Sequence, residues 1–181
     1  MWTRPAVRDL LSRTLASSLI SAPRRWRYLA KLGMDVRRCT IEPASYFGSR
    51  DVAIGPGSYI NRECFFDGSA PIRIGRNCSL AMRVVVATGT HRIGGGDRRS
   101  GELLARQVSI GDGCWVGACV VLLPGVTVGE GCVIAAGSVV TEDCAPHGLY
   151  AGVPARRVKD LPTSVACDDA EEAGGGPPHD G

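Results

Sequence analysis

An all-β molecule of short strands stacked by parallel pairing is the fold class that the sequence predicts, and three observations predict it. The first is composition: of 181 residues, 44% are hydrophobic but only 6% aromatic, with 24 glycines and 11 prolines. Such a chain builds its core from small aliphatic side chains and turns often, which favours short strands. The second is a recurrence of period six. Ile54, Ile60 and Phe66 stand six apart, Ile74, Leu80 and Val86 continue after a two-residue slip, and Ile110, Val116, Leu122, Val128, Ile134 and Val140 resume after an insertion. The third is what accompanies each aliphatic residue. The next position is small or polar (Gly55, Asn61, Gly75, Ala81, Gly111, Gly117), and the fourth position after it is small or β-branched (Ser58, Cys64, Cys78, Val84, Cys114, Val120).

Period six fits neither an amphipathic helix nor a simple alternating strand. It fits a flat edge plus a corner. Three edges close a triangular coil of about 18 residues, and coils stack by backbone pairing at ~4.8 Å. One edge cannot bury its own face, so several coils are required, and roughly five fit between residues 36 and 145.

The remaining elements flank or interrupt the coil. Val7, Leu10, Leu11, Leu15 and Leu19 lie at helical spacing and predict an amphipathic helix over 4–20, with Thr3 as cap. A second short helix is expected from Pro23 to Leu32, stopped by Gly33. Arg92 to Gln107 breaks the six-residue register and carries Gly94, Gly95 and Gly96, so a mobile projecting loop is expected there. From about Asp168 the chain is Asp, Glu, Gly and Pro and is expected to be disordered. The domain reading is a helical segment over 1–33, a coil domain over 34–160 with its loop at 92–107, and a tail over 161–181.

Charge is uneven. Residues 1–40 carry nine cationic residues against Asp9 and Asp35, a net +7, and the remainder carries −4. A solvated basic face is one reading of this stretch; contact with anionic lipid, an acidic partner or a glycosyltransferase is the other. No aromatic-interleaved basic patch points to nucleic acid. No apolar run approaches the roughly 20 residues of a membrane-spanning helix, and Leu15 to Ala22 is too short and Ser-interrupted for a signal peptide, so a cytoplasmic protein is expected.

Five of the eight cysteines, Cys64, Cys78, Cys114, Cys132 and Cys144, occupy the same place in the six-residue unit, which explains them as small corner residues. Cys114 and Cys132 stand one coil apart, within disulfide reach, but reduced thiols are expected without a CxxC pair or secretory signal. None of the others has a nearby histidine to make it a nucleophile. No metal site is expected, because three histidines (His91, His147, His179), the last in the tail, are too few to converge on zinc. His147 lies in a turn leaving the last coil, whereas His91 stands where the coil meets the insertion.

The units Ile110-Gly-Asp-Gly-Cys-Trp, Val116-Gly-Ala-Cys-Val-Val, Leu122-Leu-Pro-Gly-Val-Thr, Val128-Gly-Glu-Gly-Cys-Val and Ile134-Ala-Ala-Gly-Ser-Val resemble those of the hexapeptide-repeat acyltransferases. The maltose/galactoside O-acetyltransferase and xenobiotic acetyltransferase branch is the closest match, over residues 34–160. The resemblance implies a left-handed parallel β-helix, a homotrimer and acetyl-CoA as co-substrate.

It also implies site residues. Thr88-Gly-Thr-His91 resembles the catalytic histidine motif before a protruding loop, and a near-neutral imidazole suits the general base that acetyl transfer to an alcohol needs. The stretch around Asn61 and Asp67 resembles the one that holds acceptor hydroxyls; a turn-capping role is the competing reading of Asn61, and a turn role that of Asp67 before Gly68. Trp115 takes the place of a tryptophan beside the pantetheine channel, Ala118 and Ala136 match backbone contacts to that arm, and Arg156, Arg157 and Lys159 match the closing phosphate-binding signature. The spacing of Arg156 and Lys159 after Pro154 suits one side of a helical or turn segment. Where galactoside enzymes carry a lysine after Val140-Thr141, this chain has Glu142. The expected function is O-acetylation of a sugar-like hydroxyl, with a non-catalytic β-helix scaffold or an amino-sugar N-acetyltransferase as alternatives.

Overall fold

A computed structural model describes Ser17 and residues 19–164. Of the expected helix over 4–20 only Ser17, Leu19 and Ile20 are described, in bend and turn rather than helix, and the tail from about 168 lies outside the described residues. The chain winds through five triangular coils of parallel strands. β1 (Asp35–Val36), β2 (Thr40–Ile41) and β3 (Tyr46–Phe47) form the first, and β4 (Val52–Ile54), β5 (Tyr59–Ile60) and β6 (Phe65–Phe66) the second. β7 (Ile72–Ile74), β8 (Ser79–Leu80) and β9 (Val85–Val86) form the third. After a hairpin of β10 (Gly89–Ile93) and β11 (Ser100–Ala105), β12 (Val108–Ile110), β13 (Trp115–Val116) and β14 (Val121–Leu122) form the fourth, and β15 (Thr127–Val128), β16 (Val133–Ile134) and β17 (Val139–Val140) the fifth. β18 (Gly148–Gly152) and the antiparallel β19 (Ala155–Asp160) close the far end. The strands lie in three sheets: β1-β4-β7-β12-β15, β19-β18-β16-β13-β8-β5-β2 and β17-β14-β9-β6-β3.

The second residue of each two-residue coil strand points inward. Ile41, Ile60, Phe66, Leu80, Val86, Val116, Leu122 and Val128 are all fully buried. The small corner positions have a polar duty as well. Ser58 Oγ donates to Gly75 O at 2.9 Å, and Cys78, Cys114 and Cys132 Sγ reach the carbonyls of Gly111, Gly129 and Ala145 at 3.0, 3.0 and 3.2 Å. Each serves a carbonyl of the next turn, and that of Ala145 also accepts from Tyr150 Oη and Arg157 Nη1. Burial pushes the thiols of Cys39 and Cys64 up to about 11 and that of Cys144 up to about 12, so they act as protonated packing groups. All seven described cysteines are free.

The corners demand left-handed backbone. Arg38, Gly57, Asn77, Gly113, Gly131 and His147 form one column with φ between +40° and +77°, and Ala44, Glu63, Arg83, Cys119 and Gly137 form a second with φ between +58° and +72°. His147 is thus a corner residue, and its Nε2 lies 3.5 Å from Glu130.

α1 (Ala22–Lys31) packs on β1 and β2 and covers the first coil. Arg25, counted by charge within a basic face, points inward instead. It is 2% exposed, and its guanidinium donates to the carbonyls of Ile41, Ser17 (3.0 Å) and Ile20 (2.6 Å). Only the Ile41 carbonyl lies at the end of the coil stack, and the other two precede α1, so the buried guanidinium ties the segment before the helix to the first coil.

Candidate active site

The segment expected as an irregular loop is a β-hairpin instead. Gly89 pairs with Ala105, Thr90 with Leu104 and His91 with Leu103, and the register shifts before Ile93 pairs with Ser100. Antiparallel pairing supplies the backbone partners that an irregular excursion would lack. It also aims His91. Its Nδ1 lies 2.9 Å from the Gly101 carbonyl. A carbonyl only accepts, so Nδ1 carries a proton, and in the neutral ring it is Nε2 that presents the lone pair. Gly101 bears no side-chain signal, and only the hairpin register reveals it.

Asp67 anchors the base of this hairpin. Its Oδ2 accepts from Thr88 N (3.0 Å), Thr88 Oγ1 (3.0 Å) and Gly89 N (2.7 Å), and its Oδ1 from Gly68 N (2.6 Å) and Ser69 Oγ (3.2 Å). Burial works to raise the carboxyl, but these donors outweigh it and hold Asp67 below its usual range. A Cβ on Gly89 would stand 2.6 Å from Ser69 Oγ and 3.2 Å from Asp67 Oδ2, so the contact needs glycine there. Asn61 Oδ1 accepts from Arg62 N at 2.7 Å, a local turn contact.

Trp115 stands 60% exposed on the outer face of the second sheet. Its register partners run Val133, Leu149 and Lys159 on one side and Ser79 and Tyr59 on the other, so an indole and an ammonium share one outward row that Lys159 ends. Three strand spacings separate them, about 14 Å. Ala118 and Ala136 lie one coil apart at the next corner, where Gly137 N donates to Ala118 O at 2.8 Å.

Arg156 and Lys159 share a side, but not through a helix or turn. They sit in β19, opposite Ala151 and Leu149, with a register shift between Leu149 and Tyr150. A regular strand sends residues three apart to opposite faces; the extra residue at the bulge returns them to one. Arg157 is spent otherwise. Its five N–H groups meet Asp160, Ala145 O, Tyr150 Oη, Pro146 O and His147 O at 2.8 to 3.3 Å. Glu142 lies 3.5 Å from Arg156 Nη2. That pairing joins two groups 14 positions apart, and no sequence spacing announces it.

Two groups of residues emerge. His91 and Asp67 lie at the corner after the third sheet, while Asn61, Trp115, Ala118 and Ala136 lie on the second sheet and the corner that follows it. The third sheet separates them, and its outer row is Tyr46, Phe65, Val85, Val121 and Val139. Among the described residues, no group of three or more His, Cys, Asp or Glu could hold a metal ion.

The family described as "Bacterial transferase hexapeptide (six repeats)" matches residues 107–142. A maltose O-acetyltransferase from Clostridium difficile has a similar structure, with 30% identity, a TM-score of 0.76 and coverage of 87% of this chain and 86% of that one. The chain belongs to the hexapeptide-repeat acetyltransferases. Another member, a hexapeptide-repeat-containing acetyltransferase from Vibrio cholerae solved with acetyl-coenzyme A, is 29% identical with a TM-score of 0.77, covering 87% of this chain and 86% of that one. The galactoside O-acetyltransferase of Escherichia coli is 34% identical over 122 residues, 67% of this chain and 60% of that protein. The matched segment thus spans about 60% of such a hexapeptide-repeat relative's length.

Proposed function

We propose that the protein is an acetyl-CoA-dependent O-acetyltransferase acting on a hydroxyl of a sugar or sugar-containing acceptor. The observation that carries this reading is the Nδ1 to Gly101 contact, which orients the His91 ring on the hairpin with Nε2 as the nitrogen left for the acceptor. The acceptor oxygen attacks the thioester carbonyl while Nε2 takes its proton; the C–S bond breaks and the proton passes to the departing thiolate. No covalent acyl-enzyme is needed when both substrates are bound together.

The row from Trp115 to Lys159 suits an extended thiol-bearing arm, with phosphates at the end carrying Lys159 and Arg156 and with Ala118 and Ala136 along the adjoining corner. Arg157 supports that end by tying β19 to the segment 145–147 that leads into β18. Asn61 faces the acceptor, and Asp67 holds the hairpin beside it.

A homotrimer is part of the proposal. The apolar outer row of the third sheet is partly exposed among the described residues, and the two groups of site residues lie on either side of it. A neighbouring copy on that row would bring His91 of one chain to Trp115 of the next. A cytoplasmic setting fits the free thiols of the seven described cysteines. The deciding experiment is thiol release from acetyl-CoA across a panel of sugars, amino sugars and glycolipids. Acceptor-dependent release that His91→Ala abolishes is expected; a chain that binds acetyl-CoA but transfers to none of them would leave only a scaffold.

A further inference from the structure

The cations of this molecule fall into two populations. On the coils, Arg62, Arg73, Arg76 and Arg83 pair with Glu42, Asp51, Asp112 and Glu63 of adjoining turns. At the N-terminal end Arg37 still pairs with Asp35, but the helix and its neighbour Arg38 depart from the pattern. Arg24, Arg27, Lys31 and Arg38 are exposed, and none forms an ion pair with the described residues.

Three of them are organised. Arg24, Arg27 and Lys31 stand at i, i+3 and i+7 of α1, on the outward side left by the inward Arg25 and Leu29. Tyr28, 47% exposed, lies among them, and Leu19, 92% exposed, stands just before the helix. α1 holds no acidic residue, and the preceding sequence has the same character, with Arg4, Arg8 and Arg13 against Asp9 alone and leucines at 10, 11 and 15.

We propose that this end of the prism docks on an anionic lipid bilayer. Unpaired cations interleaved with exposed apolar side chains match the headgroup boundary, where charges meet lipid phosphates and Tyr28 and Leu19 enter the acyl edge. Phosphate contact alone, as on nucleic acid, gives an exposed leucine nothing to do. Coils 1 and 2 then lie nearest the lipid, with Asn61 and Asp67. Resting on the function proposed above, the acceptor is a membrane-borne hydroxyl compound.

The test needs no substrate, so it stands apart from the acetylation assay. The full chain is sedimented with phosphatidylcholine vesicles with and without phosphatidylglycerol. Binding to the anionic vesicles alone, weakening with salt, is expected. The Arg24→Gln, Arg27→Gln, Lys31→Gln triple variant should partition about a hundredfold less, at roughly fivefold per charge, with an unchanged melting profile. Leu19→Ser with Tyr28→Ser should weaken binding by a smaller factor. Equal binding to pure phosphatidylcholine, a triple variant within about threefold of wild type, or tighter binding to duplex DNA than to anionic vesicles would each overturn the proposal.

Discussion

His91 owes its position to two groups outside the six-residue repeat. The Gly101 carbonyl sets its tautomer and the Asp67 carboxylate ties down the strand that bears it. If Nε2 takes the acceptor proton, His91→Ala lowers kcat by ~10²–10⁴-fold and leaves acetyl-CoA binding nearly unchanged. Activity within threefold of wild type would remove the assignment, and His147→Ala serves as control because that residue is a corner. Asp67 acts at one remove. In Asp67→Asn an amide replaces the carboxylate, and its NH₂ group must face N–H donors on one side or the other, so donor opposes donor. The variant should lower kcat and speed hydrogen exchange at Thr88 and Gly89. The depressed carboxyl of Asp67 also sets a direction with pH. The stabilisation is present above the ordinary carboxylate range and is lost as pH falls below about 4 toward the lower folded value. The stability gap between wild type and Asp67→Asn therefore narrows in acid, which denaturant midpoints at several pH values will show.

Among the elements, β19 holds the most specific chemistry. Its bulge puts Arg156 and Lys159 on the same side as Trp115, whereas a regular strand would part them. Contacts to phosphates far from the reacting carbonyl are equal in ground and transition states. Arg156→Ala with Lys159→Ala should accordingly raise KM for acetyl-CoA and spare kcat, and added salt should weaken the wild type more than the double variant. An unchanged KM would place the phosphates elsewhere. Glu142 works against the same anion because it lies against Arg156. Glu142→Gln should lower KM for acetyl-CoA by about twofold to threefold, a modest gain because both groups are exposed. A higher KM would show that the pairing instead holds Arg156 in place.

The three faces of the prism differ as wholes. The first sheet turns Asp35, Ala53, Arg73, Ser109 and Thr127 outward, while the third turns out Tyr46, Phe65, Val85, Val121 and Val139. Tyr46 and Phe65 stack there with ring centroids 4.8 Å apart. Only the second kind of face loses by remaining in water. Sedimentation should give a trimer at micromolar concentration, and Phe65→Glu with Val121→Glu should give folded monomers that have lost transfer activity. A wild-type monomer with full activity would rule out a site shared between copies.

The coil was legible in the sequence because burial imposes its own period. Each edge hides one aliphatic residue per six, and Ile54 through Val140 keep that count wherever the wall is unbroken. The corner cysteines were legible for the same reason, though not their hydrogen bonds to the next turn. His91 stood out because it falls where the period stops. What lay beyond the period was decided by pairing at a distance: the hairpin register that hands His91 to Gly101, the bulge that turns Lys159 toward the row of Trp115, the five acceptors that occupy Arg157, and the carbonyls on either side of α1 that hold Arg25 inward. These depend on which backbone groups lack partners once the coils have stacked, and a linear repeat states the sides of the prism without stating what its ends and interruptions leave unsatisfied.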